Sequence, residues 1–180
     1  HERRHASHEY GTRATPIGAF LGGGCHAVDM ARYLTGADIA EIQARTPCNR
    51  DLRALRVQRT TVALANMTNG AIAKISATDA VFMPYWFNIQ VFGTSGAIRN
   101  DNQLYARSHP ASSFETISGV VPDSGAVWHH PFEGMIAEFV DCVRRRIEPS
   151  CNLFATANTH RACFAAEESA RRDGTVIRLL

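Results

Sequence analysis

No apolar run in this 180-residue chain approaches the ~20 residues of a bilayer-spanning helix, so no membrane span is expected. Excess charge of one sign is also lacking. Nineteen Lys and Arg stand against seventeen Asp and Glu, a formal +2, with the signs interspersed. That balance gives no electrostatic basis for binding nucleic acid. Lysine is nearly absent: Lys74 is the only one, and it falls in a strand-like segment where a solvated sheet position is expected. The five cysteines are an odd number with no CxxC pair, so neither a disulfide framework nor a zinc ribbon is indicated. Cys25, Cys48, Cys142, Cys151 and Cys163 read as reduced thiols of a cytoplasmic protein. The opening residues His1–Tyr10 are polar and charged and form no secretory signal.

The most informative feature present is Gly22-Gly23-Gly24-Cys25-His26-Ala27-Val28-Asp29, running into Met30-Ala31-Arg32-Tyr33-Leu34-Thr35-Gly36. A glycine run lets backbone approach a ligand closely. A helix N-terminus offers free N–H groups and a dipole that favours anions. His26 would sit at the rim of such a site, a type of side chain that suits acid or base work near neutrality. Asp29 lies one turn on, where it could orient the imidazole or simply complement the helix dipole. Cys25 adjoins the glycines and could line the site. A metal is not expected, because Cys25 and His26 have no second ligand cluster at recognisable spacing.

Along the chain, residues 1–15 read as a polar, disorder-prone N-terminal segment and 16–180 as one domain. The spacing predicts a helix over Cys25–Leu34 stopped at Gly36, with Val28, Ala31 and Leu34 on its apolar face. Asp38–Arg45 reads as a strand. Thr60–Met67 and Ala71–Thr78 flank Thr68-Asn69-Gly70, a hairpin signal. Strands are then expected at Tyr85–Phe92, Ala97–Asn100 and Gln103–Ala106, before a breaker-rich stretch over 107–130. Pro131–Ile147 predicts a helix with Phe132, Met135, Ile136, Phe139, Val140 and Val143 on one face, closing on the basic Arg144-Arg145-Arg146. Leu153–Arg172 predicts another through Leu153, Ala157, Phe164 and Ala165, and Thr175–Leu180 a last strand. Cys142 and Cys163 read as small core residues of these two helices. The sum is an α+β fold: a largely antiparallel, open-faced β-sheet with helices packed on one face. Val81, Phe82, Trp86 and Phe87 could make the open face apolar, favouring a partner subunit there. Trp128, His129 and His130 form a second cluster that could stack on and hydrogen-bond a polyol, or merely anchor a loop.

The ordered series of the glycine run, His26, Asp29, Tyr33-Leu34-x-Gly36, Val91-Phe92-Gly93-Thr94-Ser95-Gly96-Ala97, Pro131-Phe132…Glu138-Phe139-Val140 and Ala166…Ser169-Ala170…Gly174-Thr175-Val176 resembles a known family. It is similar to the C-terminal domain of the Gfo/Idh/MocA oxidoreductases, which include glucose–fructose oxidoreductase and inositol dehydrogenases. The resemblance implies a substrate-binding and dimerisation domain, a homodimer or homotetramer formed through the open sheet face, and a sugar or polyol substrate. It implies NAD or NADP, bound mainly by an N-terminal Rossmann domain. No strand–GxGxxG–helix unit opens this chain, so that domain and the family's catalytic lysine are expected outside it, and this chain alone is expected to be inactive.

His26 matches the family's site histidine, which acts on the substrate hydroxyl as base or proton relay. Asp29 matches the supporting aspartate one turn later, while Cys25, Trp128, His129 and His130 are the expected substrate contacts. Many members carry an aspartate four residues before the histidine, where this chain has Gly22. That departure keeps open a reading as part of a redox-neutral glycosidase or epimerase that uses nicotinamide transiently; a non-catalytic dimerisation module is a separate alternative.

Overall fold

The computed structural model describes residues 17–47, 59–79, 87–99, 103–106, 115–116 and 132–179. The N-terminal segment, Cys48, Val81, Phe82, Tyr85, Trp86, the Trp128-His129-His130 cluster and most of 107–130 lie outside the described residues. The chain divides into two compact units, His1–Val81 with Glu148–Leu180, and Phe82–Ile147.

The first unit is built on strands β1 (Ile39–Arg45), β2 (Thr60–Met67), β3 (Ile72–Thr78) and β8 (Ile177–Arg178). They form an antiparallel sheet in the order β3-β2-β1-β8. Side chains alternate between faces along a strand, and β2 follows this strictly. Thr61, Ala63, Ala65 and Met67 point inward, while Thr60, Val62, Leu64 and Asn66 point out. The Asn-Gly signal holds: Met67 N–H donates to Ala71 O at 2.8 Å, and Gly70 takes a φ of 86° that suits glycine.

Helices α1 (Cys25–Thr35) and α3 (Leu153–Arg171) cover the inward face. Phe20, Val28, Ile39, Ile42, Ala65 and Ala166 are among the buried residues between these layers. On the outward face Val62, Leu64 and Ile72 are exposed beside Gln43 and Lys74. α1 ends where the sequence places its stop: Gly36 is left-handed (φ 62°) and its N–H closes on Arg32 O. α3 starts at Asn152, whose side-chain oxygen accepts from Ala155 N–H at 2.9 Å.

The apolar face expected of α3 is corrected. Leu153 and Phe164 are exposed, whereas Asn158, Thr159, Ala162, Cys163, Ala165, Ala166 and Ser169 are buried. Small residues let the helix axis approach β1 closely, and the buried polar ones bond to neighbouring backbone and side chains. The final strand is also shorter than expected. Ile177 and Arg178 pair with Ile42 and Glu41, and Leu179 N–H adds one bond to Ala40 O at 2.8 Å.

In the second unit, β4 (Gln90–Gly93), β5 (Gly96–Arg99), β6 (Gln103–Ala106) and β7 (Glu115–Thr116) make an antiparallel meander. Thr94-Ser95 turns the first hairpin. The strand expected over Tyr85–Phe92 is described as strand only from Gln90, and β7 adds a short strand within the stretch read as loop. α2 (Phe132–Arg145) buries Cys142, as expected, while the apolar residues read along one face, including Phe132, Met135, Ile136, Phe139 and Val143, are exposed. Among the described residues no helix is long and apolar enough to cross a membrane.

Candidate functional site

The glycine run is not a flexible turn, and His26 is not at a free helix N-terminus; both expectations are corrected. The backbone is helical from Ala19 and passes through a π-helical turn over Phe20–Gly24 before α1 begins. Gly22 N–H already donates to Gly18 O at 2.8 Å. Gly24 is buried, and a Cβ there would stand 3.1 Å from Ala77 Cβ and 3.2 Å from the Phe20 ring. This glycine lets the helix lie against β3, so its close approach is to the sheet and not to a ligand. Gly22 and Gly23 remain exposed on the outer side.

His26 follows on the first turn of α1 and is exposed, while Cys25 beside it is half-buried. Cys25 packs against the core that contains Cys163. Burial pushes both thiols up, Cys163 to about 12 with the nearby Cys25 adding to the rise. Both are therefore neutral and poorly nucleophilic at ordinary pH.

Asp29 is engaged by two neighbours. Thr159 Oγ1 of α3 donates to Asp29 Oδ1 at 2.7 Å, and Arg32 Nη1 approaches the same oxygen at 3.3 Å. Arg32 Nη1 also reaches Thr159 Oγ1 at 2.7 Å, while its Nε and Nη2 donate to Asp38 Oδ1 at 3.0 and 2.6 Å. Two carboxylates are thus drawn to one guanidinium that is largely covered. The ring of contacts ties α1 to α3 and to the start of β1, and it fixes the roll of the helix that presents His26. The ring of Arg32, Asp38 and Thr159 is not legible in the sequence because Thr159 lies 127 residues from Arg32. Arg32 three residues after Asp29 was the one local signal.

Residues 159, 163 and 167 of α3, four apart, run alongside α1 and the turn before it. Glu167 lies level with Leu21. Its Oε1 is buried without a hydrogen-bond partner. Burial pushes its carboxyl up, against the opposing pull of Arg171 and the Leu21 N–H. Among the described residues, no group of three or more His, Cys, Asp or Glu is placed to hold a metal. Trp128, His129 and His130, the second expected cluster, are outside the described residues.

Residues 1–99 match the family model described as the GFO/IDH/MocA C-terminal domain. An uncharacterised oxidoreductase, YrbE, of Bacillus subtilis (strain 168) is 32% identical over 90 residues, covering 49% of this chain and 26% of that protein. An oxidoreductase of Agrobacterium radiobacter, solved with NAD+, L-tartaric acid and magnesium, superposes with a TM-score of 0.69 at 22% identity, over 90% of this chain and 50% of that one. The myo-inositol 2-dehydrogenase of Lactobacillus plantarum gives a TM-score of 0.71 at 18% identity, over 98% and 52%. The chain therefore spans about half the length of these solved structures.

Proposed function

This chain belongs to the GFO/IDH/MocA C-terminal domain family, and on that premise we propose that it forms the substrate side of an NAD(P)-dependent oxidoreductase acting on a hydroxyl-bearing carbon of a sugar or cyclitol. The observation that carries the reading is His26: an imidazole held exposed on the first turn of a helix whose roll is fixed by the Arg32 ring. Support for the substrate class comes from the named activity of the Lactobacillus relative of the fold.

The glycine run does not fit a dinucleotide, since its backbone is helical and Gly24 is closed against Ala77. The nicotinamide belongs to another part of a longer protein and there supplies the hydride acceptor or donor. What this chain contributes is proton handling at the substrate oxygen. The His26 imidazole takes the hydroxyl proton in oxidation and returns it in reduction. Asp29, engaged by Arg32 and Thr159, positions the helix and does not itself exchange the proton. Cys25, Trp128, His129 and His130 are assigned to the substrate side of the same reading.

In the full-length protein, His26→Ala is expected to lower turnover by about 10²–10⁴-fold, the usual contribution of a positioned base. Unchanged turnover would remove the assignment. A net change in NADH absorbance during the reaction distinguishes a dehydrogenase from a redox-neutral enzyme, a reading kept open by Gly22 at the family's aspartate position.

The outward sheet face supports a second role. Val62, Leu64 and Ile72 stand exposed together on it, at 45%, 52% and 73%, and an apolar group of this kind is suited to a second copy of the chain. Gel filtration at several concentrations checks this, and a monomer throughout would count against it.

A further inference from the structure

The Asn-Gly pair that turns the β2–β3 hairpin is the only one in the chain, and it does more than reverse direction. Asn69 Nδ2 donates to Thr35 O at 3.0 Å, one of the carbonyls left without a partner at the C-terminal end of α1. Thr68 N–H donates to Asp38 O at 2.8 Å, and Asn69 Oδ1 accepts from Ala71 N–H at 3.1 Å. The hairpin tip is thus fastened to α1 by a side chain that can donate only while it is an amide.

We propose that Asn69 is a site of spontaneous deamidation, and that its conversion to a carboxylate unfastens the hairpin tip from α1. Thr68, Asn69 and Gly70 are all exposed, and apart from its two chain neighbours nothing lies within 4 Å of where a Gly70 Cβ would be, so no packed side chain walls in the tip. That nitrogen, losing its proton, attacks Asn69 Cγ. The Cγ–Nδ2 bond breaks, ammonia leaves with the proton, and a five-membered succinimide remains. Water then opens the ring at either carbonyl, giving aspartate or isoaspartate. In the folded turn the Gly70 N–H is held by Met67 O at 3.0 Å, so reaction proceeds from the locally opened tip. The product carboxylate cannot donate to Thr35 O, and it adds negative charge at the negative end of the α1 dipole.

The test follows the purified chain at mildly alkaline pH by ion exchange and peptide mapping, folded and in denaturant. Acidic product is expected at Asn69 ahead of every other asparagine, forming roughly tenfold or more slower in the folded chain, as local opening requires. N69D is expected to exchange the Gly36 and Ala37 amides roughly tenfold faster than wild type, with the α3 core amides unchanged. The deamidated fraction of an aged wild-type sample gives the same comparison if that variant folds poorly. Absence of product at Asn69 in both forms, or unaltered exchange at the end of α1 in both charged forms, would overturn the proposal.

Discussion

The Asn158 carboxamide hydrogen-bonds both backbone groups of Ile39: Oδ1 accepts from Ile39 N–H at 2.8 Å and Nδ2 donates to Ile39 O at 3.0 Å. A helix side chain thereby stands in for a missing stretch of strand. β8 pairs only with Glu41 and Ile42, so the flanks of β1 need other partners. Ser169, eleven residues along α3, serves the far end, accepting from Ala44 N–H at 2.8 Å and donating to Thr175 O at 2.6 Å. Buried backbone groups are costly to leave unpaired, and α3 supplies the pairing along with its packing.

Asn158→Ala is expected to destabilise the fold by about 2–4 kcal/mol, since both Ile39 groups lose their partner in a buried setting. Asn158→Asp keeps the acceptor but loses the donor toward Ile39 O, and is expected to be destabilising as well. Urea unfolding measures both, and changes under half a kilocalorie would contradict the clamp.

The two neighbouring glycines should respond with opposite sign. At Gly24 an added methyl meets Ala77 and Phe20, and Gly24→Ala is expected to cost about 1–3 kcal/mol by overpacking. At Gly23 nothing lies within 4 Å and the backbone is helical. Gly23→Ala is therefore expected to stabilise by about 0.4–1 kcal/mol, through a less flexible unfolded chain. Thermal melts of the pair decide it.

Glu167 makes stability pH-dependent in a definite direction. Burial raises its folded-state pKa above the ordinary carboxylate value. Between the two values the folded state holds more protons than the unfolded one. Stability therefore falls as pH rises through that window, then levels off. E167Q has no proton to lose there. Its urea midpoint is expected to match wild type in acid and to rise above it as pH climbs out of the carboxylate range. Parallel profiles would show that the carboxylate is not desolvated.

Thiol reactivity should sort by position. Cys151 is exposed, whereas Cys163 is buried with its thiol raised to about 12. Alkylation of the native chain near neutral pH is expected to modify Cys151 first and to leave Cys163 unmodified until the fold opens. Peptide mapping after timed quenching reads this directly. Equal rates at the two would place Cys163 outside the core.

What could be read beforehand follows the length of the pattern that carries it. The β2–β3 hairpin was legible because Thr61, Ala63, Ala65 and Met67 alternate with outward residues around a strong turn. α3 was legible in extent but not in facing. Its buried stripe is Asn158, Ala162, Ala165, Ala166 and Ser169, which a search for large apolar residues passes over. Reading small residues at steps of three and four would have found it. The start of α1 misled because glycine normally interrupts helices, whereas here Gly24 is required by contact with β3. The Arg32, Asp38 and Thr159 ring was invisible, since its closure depends on α3 arriving from more than a hundred residues away.

The π-helical turn at Phe20–Gly24 holds one residue more than a regular turn of α-helix would. Deleting Gly23 should let that surplus be absorbed by tightening the loop of backbone, leaving everything downstream in its present orientation. Shortening by a single residue would be ruinous in most helices. At this spot the scaffold has a slot where chain length can vary while the imidazole stays put.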